Sequence, residues 1–246
     1  MTTFPTLRAL ADRASFFTAL RQDALGQAAE DLGDHRWDLD LGTGTFAFSS
    51  TVDPTRRFVC GAHLIASIAP GPRSVLWGWA HPAGGGDQGV AAQLRAYGQA
   101  HGVAELTSPE VPFPADAPGD ADWIAQVSHE IAGAAVDITG RSAYYSAPAG
   151  DSGTRAVLLL DAPMPALTVA EAMIRMPRIM SSTAPADPRG AVWNLARLAG
   201  WAMTWTDDAF SGLVVTDSSG TVTFEFDEQA RVTSMKASLG GGGTAA

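Results

Sequence analysis

The sequence predicts an α+β protein in which antiparallel β-meander sheets are each covered by helices, in two subdomains. Short runs of alternating apolar and polar residues, separated by glycine-containing turns, indicate hairpin strands. Segments with apolar residues at a 3.6-residue spacing lie between the groups of strands and indicate helices. The composition is globular, with 246 residues of which 46% are hydrophobic and 17% charged, and the chain is long enough to bury a core.

The first predicted domain covers residues 1–163 and begins with a helix at residues 6–32, which ends at Gly33. The stretch "RWDLDLGTGTFAFSS" alternates on both sides of a glycine turn and therefore predicts a hairpin. A longer strand, "RRFVCGAHLIASIAP", and a fourth, "SVLWGWAHP", complete a meander. Two further helices follow, and the strands "RSAYYSAP" and "TRAVLLLDAP" close the domain.

The strand "SVLWGWAHP" places its largest side chains on one side. Trp77 and Trp79 share one face, and Gly78 and Ala80 share the other. Small residues on a strand permit a close approach, so we expect a helix against the Gly/Ala face. An indole N–H needs a partner when it is buried, so the tryptophan face is expected to be partly polar or open to a groove.

The second predicted subdomain covers residues 164–239. It contains a helix, "TVAEAMIRMPRIM", that is expected to break at Pro177, and a second helix, "AVWNLARLAG". Three or four short strands follow, with the hairpin turn sequences "DSSG" and "DEQA" between the later ones. The tail at residues 240–246 is glycine-rich and is predicted to be disordered.

Residues 20–162, roughly the N-terminal two-thirds of the chain, resemble an uncharacterised bacterial family, DUF6882. The resemblance lies in the "WDLDL-G-T-TFAF" hairpin, the "LWGWAHP" strand and the segment "LRAYGQAHGVAEL". The family pattern has Asn after the second Trp-Ala, where this chain has His81. The family has no established activity, so the resemblance implies a fold and no mechanism.

Charge and cysteine content exclude several classes of function. The net charge is −10 and there is no run of basic residues, which disfavours binding of nucleic acid through its phosphates. The single cysteine, Cys60, permits neither an internal disulfide nor a thiolate zinc site. No apolar segment approaches the length of a membrane span, and no signal peptide is evident, so a cytoplasmic protein without membrane contact is expected.

The histidines and aspartates supply the candidate site. No two of the five histidines are spaced as metal ligands on one helix or strand, and the sequence predicts no metal site, cofactor or catalytic set. His63 and His81 lie on neighbouring predicted strands, while Asp38 and Asp40 share one face of the first hairpin strand, so a carboxylate–imidazole site is conceivable. Alternating aspartates are more typical of a solvated outer face, and Trp77 and Trp79 are more typical of a core, with a recognition surface as the alternative.

These observations favour a non-enzymatic module that binds a basic protein partner through an acidic surface, as an immunity or antitoxin protein binds a toxin. The alternative is a small-molecule-binding protein or hydrolase-like enzyme centred on His63, His81 and the Asp38/Asp40 pair. The sequence carries no signal for the oligomeric state.

Overall fold

A computed structural model describes residues 3–240, and these contain seven α-helices and two antiparallel sheets. The α+β class with antiparallel sheets and helices is therefore confirmed. Contacts divide the described chain into two compact units. Unit one comprises residues 3–11 and 22–164, and unit two comprises residues 12–21 and 165–240. Of the tail predicted at residues 240–246, residues 241–246 lie outside the described residues.

The predicted first helix is two helices, α1 (Pro5–Arg13) and α2 (Ser15–Glu30). The division falls at Ala14, within residues 12–21, which belong to unit two, whereas the beginning of α1 and the end of α2 belong to unit one. The remaining helices of unit one are α3 (Ala92–His101), α4 (Ala104–Thr107) and α5 (Ala121–Thr139).

Unit one is built on a seven-stranded sheet in which β3 is the central strand. On one side β3 pairs with β2 at its beginning and with β4 at its end, and on the other side it pairs with β7. Strands β1, β5 and β6 pair with β2, β4 and β7 respectively. The strands are β1 (His35–Asp40), β2 (Thr45–Ser50), β3 (Arg57–Ala69), β4 (Ser74–Trp77), β5 (Glu110–Pro112), β6 (Tyr144–Pro148) and β7 (Arg155–Asp161).

This sheet curls, because rings from its two edges meet. Trp37 of β1 and Tyr145 of β6 have ring centroids 5.8 Å apart, although three other strands separate them in the sheet. Phe46 of β2 lies beside both rings, with its centroid 4.7 Å from that of Tyr145 and 6.4 Å from that of Trp37. The concave inner face is filled by buried residues of β2, β3 and β7 and by α2 residues Leu25, Ala29 and Leu32. Helix α5 packs against β3, β6 and β7.

The predicted strand at 74–82 is shorter than expected, since β4 ends at Trp77 and turns follow it. At Gly78 the chain passes against β3, and a Cβ there would lie 2.0 Å from the carbonyl oxygen of Leu64. The small residue thus admits the backbone of β3, with Ala91 also close by, rather than the face of a helix. As a result, Trp79 and His81 do not continue the alternation of the strand.

In unit two, helices α6 (Val169–Ser182) and α7 (Pro188–Ala199) cover a four-stranded meander. The expected break at Pro177 is absent, because α6 continues through it. Proline in a helix costs about 3 kcal/mol, and burial of the apolar stripe that includes Met176 and Ile179 offsets this cost. The strands, in the order β11-β10-β9-β8, are β8 (Ala202–Trp205), β9 (Gly212–Asp217), β10 (Gly220–Phe226) and β11 (Val232–Leu239).

Candidate functional site

Asp38 and Asp40 lie on the exposed edge strand β1. Within the described residues β1 pairs with β2 alone, and its other edge has no strand partner. Five of its six residues are exposed. Asp40 accepts hydrogen bonds from the backbone N–H groups of Gly42 and Thr43, at 2.8 and 3.1 Å, and these bonds hold the pKa of its carboxyl below the usual value. Asp40 therefore both orders the hairpin turn and remains a negative charge at the surface.

His63 pairs with a carboxylate that the sequence analysis did not select. Its Nε2 lies 2.7 Å from Asp161 Oδ2, and the other carboxylate oxygen accepts a hydrogen bond from the Arg141 guanidinium. Partial burial acts to raise the pKa of Asp161, but the hydrogen bonds and positive charges of His63 and Arg141 outweigh it and hold the pKa low. The three side chains are partly exposed, with 30% of the His63 side chain accessible to solvent.

Trp77 and Trp79 have different environments although they are two residues apart. Trp77 is 1% exposed, and its indole N–H donates to the Glu105 carbonyl at 2.7 Å. The ring of Trp79 lies under the Arg95 guanidinium, 4.9 Å from its carbon, and its buried indole N–H has no acceptor among the described residues. Trp77 is thus a satisfied core residue, whereas Trp79 keeps an unused donor.

His81 belongs to the turn after β4. Its backbone N–H donates to the Trp77 carbonyl at 3.0 Å, and its Nδ1 accepts from the Ala83 N–H, also at 3.0 Å. The imidazole therefore stabilises the turn through a local hydrogen bond.

The sheet register places three of the six predicted residues on one face. Asp40 is opposite Thr45, Thr45 is opposite Gly61, and Gly61 is opposite Asp161, so these four positions form one row across β1, β2, β3 and β7. Asp38 and His63 each lie two residues from this row on their own strands and share its face. Two strand spacings separate Asp40 from β3, about 10 Å, which is too far for a direct hydrogen bond to His63. The structure therefore pairs His63 with Asp161 and not with Asp38 or Asp40.

Asp161 carried only a weak signal in the sequence. It ends the apolar run "VLLL" that indicates a buried strand, which is a frequent place for a polar residue. Its partner His63 is 98 positions away, and the pairing of β3 with β7 that joins them is non-local. Cys60 is buried, and burial raises its pKa to about 11.

Among residues 3–240 no group of three or more His, Cys, Asp or Glu side chains is arranged to hold a metal ion. The same residues include no helix with the length and apolar character that a membrane crossing requires.

The fold and the surface residues define an α+β protein with a curled antiparallel sheet, an open acidic edge strand and a smaller helix-covered meander. The chain belongs to the Family of unknown function (DUF6882), whose family model matches residues 8–163. The resemblance predicted from the hairpin and tryptophan motifs is confirmed, and the match extends twelve residues further toward the N-terminus than predicted. No curated protein and no solved structure matched the chain.

Proposed function

We propose that the protein is a non-enzymatic binding module that recognises a basic protein segment along β1 and the adjoining outer face of the sheet. The observation that carries the proposal is the exposed, one-sided edge strand β1, which presents Asp38 and Asp40 outward. An open sheet edge offers backbone hydrogen bonds to an added strand, and alternate side chains on it select the partner.

The outer face beside β1 combines charge with an apolar centre. Asp38 is opposite Ala47, and Ala47 is opposite Val59, which is 44% exposed. Neither Asp38 nor Asp40 forms an ion pair with a described residue. A segment that alternates basic and apolar side chains would place its cations over these carboxylates and its apolar groups near Val59.

The charges on this face also define an orientation for the partner. Arg36 and Arg57 are both opposite Ser49, so they lie in one row across the sheet, at the end of the strands remote from the hairpin turn. We therefore expect the basic side chains of the partner to lie over the end of β1 next to the hairpin turn, where Asp38 and Asp40 lie. An immunity or antitoxin role, in which an acidic protein covers a basic toxin, is the biological form of this proposal.

The test uses a labelled six-residue peptide of alternating lysine and valine, compared with one of alternating glutamate and valine, by fluorescence anisotropy. We expect the lysine peptide alone to bind, with affinity that falls as salt is raised because exposed charges are screened. The double variant Asp38→Asn/Asp40→Asn should weaken binding about fivefold, from two exposed charge pairs of about 0.5 kcal/mol each. The matched control Asp151→Asn/Asp208→Asn removes the same charge from exposed loops elsewhere and should change affinity less than about twofold. Equal losses in the two double variants would mean that only net charge matters, and the proposal would be wrong.

A second candidate function, a small-molecule or hydrolase-like site, is favoured by the His63–Asp161–Arg141 chain. A carboxylate that orients an imidazole is the arrangement that activates a base, and water would be the nucleophile. On this hypothesis His63→Ala lowers hydrolysis of p-nitrophenyl acetate at least tenfold more than the control His101→Ala (about 1.4 kcal/mol of barrier). Equal rates for the two variants would exclude it.

A further inference from the structure

Unit two contains a pocket that none of the sequence motifs indicated. It has a volume of about 300 Å³ and lies between the beginning of α7 and the loop that joins β8 to β9. This volume is at the lower end of the range for small-molecule sites. Its main lining side chains are Arg13, Asp187, Arg189, Trp193, Trp205 and Phe210.

Aromatic rings form the walls of the pocket. Trp205 and Phe210 meet edge to face, with centroids 5.0 Å apart and planes at 78°. Phe210 is 47% exposed, and its backbone has φ of +56°, the left-handed conformation that a bulky residue rarely adopts. The turn is held by Asp207, which accepts hydrogen bonds from the backbone N–H groups of Ala209 and Ser211, at 2.9 and 3.1 Å. The fold thus keeps an apolar ring at the surface in a strained conformation, as binding sites often do.

The charged groups at the pocket are mainly cationic. Arg13 and Arg189 contribute two guanidinium groups, and Asp187 contributes one carboxylate. That carboxylate already caps α7, because it accepts a hydrogen bond from the Gly190 N–H at 3.0 Å. The N-terminus of the twelve-residue helix α7 adds a partial positive charge at the same place.

Both arginines are anchored through their backbones. The Arg13 carbonyl accepts a hydrogen bond from the fully buried Asn194 side chain at 2.9 Å. The Arg189 N–H donates to the Ala230 carbonyl at 3.0 Å, and its guanidinium lies 3.5 Å from the Phe210 carbonyl oxygen. The cations therefore belong to the framework of unit two.

We propose that this pocket binds a flat aromatic carboxylate. The ring stacks among Trp193, Trp205 and Phe210, and the carboxylate pairs with the Arg189 guanidinium, which suits a planar anion. A cationic ligand is disfavoured, because it would face the Arg189 guanidinium and the N-terminus of α7, while the Asp187 carboxylate already accepts the capping hydrogen bond. The pocket is thereby an anion site within a protein of net charge −10.

The test measures binding of 2-naphthoate to the full chain by isothermal titration calorimetry, with 2-naphthalenemethanol and 2-naphthylmethylamine as the neutral and cationic analogues. We expect naphthoate to bind about tenfold more tightly than the alcohol, from one charge-assisted contact of about 1.5 kcal/mol. The amine should bind most weakly.

Variants separate charge from packing. Arg189→Met should bring naphthoate affinity down to that of the alcohol while leaving the alcohol unchanged, and Arg189→Lys should retain part of the difference. Phe210→Ala should weaken all neutral and anionic ligands alike. The control Arg8→Met removes an exposed arginine of α1 outside the pocket and should have no effect. Absence of naphthoate binding, or equal losses in Arg189→Met and Arg8→Met at unchanged melting temperature, would overturn the proposal.

Discussion

The two neighbouring tryptophans allow a direct comparison between a satisfied and an unsatisfied buried donor. The perturbation is the same at both positions, Trp77→Phe and Trp79→Phe, which removes the indole N–H and part of the ring. Trp77 donates to the Glu105 carbonyl at 2.7 Å and is 1% exposed. Trp79 has a buried N–H with no acceptor among the described residues and a ring that contacts the Arg95 guanidinium. The two variants should therefore differ in stability although the chemical change is identical.

At Trp77 the losses add. Removal of the hydrogen bond costs about 1 kcal/mol, and Glu105 keeps a carbonyl without this donor. The smaller phenyl ring leaves space in a tightly packed position, which costs about 1–2 kcal/mol more, since complete truncation of a buried tryptophan costs about 3–5 kcal/mol. The expected decrease in the free energy of unfolding is about 2–3 kcal/mol.

At Trp79 the effects oppose each other. Replacement removes a desolvated donor, which relieves a penalty of about 1–3 kcal/mol. It also weakens packing and the contact with Arg95, which is worth about 0.5–1 kcal/mol at a partly exposed site. We expect a net change within about 1 kcal/mol of zero.

Urea denaturation followed by far-ultraviolet circular dichroism measures both values at equal m. A loss at Trp79→Phe as large as that at Trp77→Phe would refute the reasoning, because it would mean that the indole N–H of Trp79 has a favourable partner.

Two further predictions concern unit one. Gly78→Ala should reduce the melting temperature by more than 10 °C in a thermal scan, because its Cβ would lie 2.0 Å from the Leu64 oxygen and the main chain must move. The control Gly26→Ala has open space around it and should be neutral or stabilising. Asp161→Asn should lower the melting temperature at pH 7, and the difference from wild type should shrink as the pH falls toward 3. A carboxyl whose pKa is depressed on folding stabilises the protein above its unfolded pKa, and this contribution is lost as the carboxyl is protonated. A difference between Asp161→Asn and wild type that stays constant from pH 7 to pH 3 would contradict the second prediction.

The locally encoded elements were predictable from the sequence. The β1–β2 hairpin followed from alternation on either side of "GTG", and the four strands of unit two followed from their turn sequences. The errors arose where tertiary contacts outweigh local preference. Helix α6 passes through Pro177 because its apolar stripe is buried, and the segment after Trp77 leaves the sheet because Gly78 meets β3.

The candidate site shows the same division. Alternation alone placed Asp38 and Asp40 together on the exposed face of β1. The partner of His63 was not predictable, because it depends on which distant strand pairs with β3. The pocket of unit two could not be predicted either, since its lining residues Arg13 and Trp205 are far apart in the chain.

The sequence by itself determined the α+β class, the family and the hairpins, because hydrophobic periodicity and turn residues act over a few neighbouring positions. Only the tertiary structure decided that Asp161 orients His63, that Trp77 rather than Trp79 satisfies its indole donor, and that Arg13 and Arg189 converge on one pocket. These arrangements depend on the pairing of strands and helices far apart in the chain, and their stability comes from burial and hydrogen bonds that no local pattern encodes.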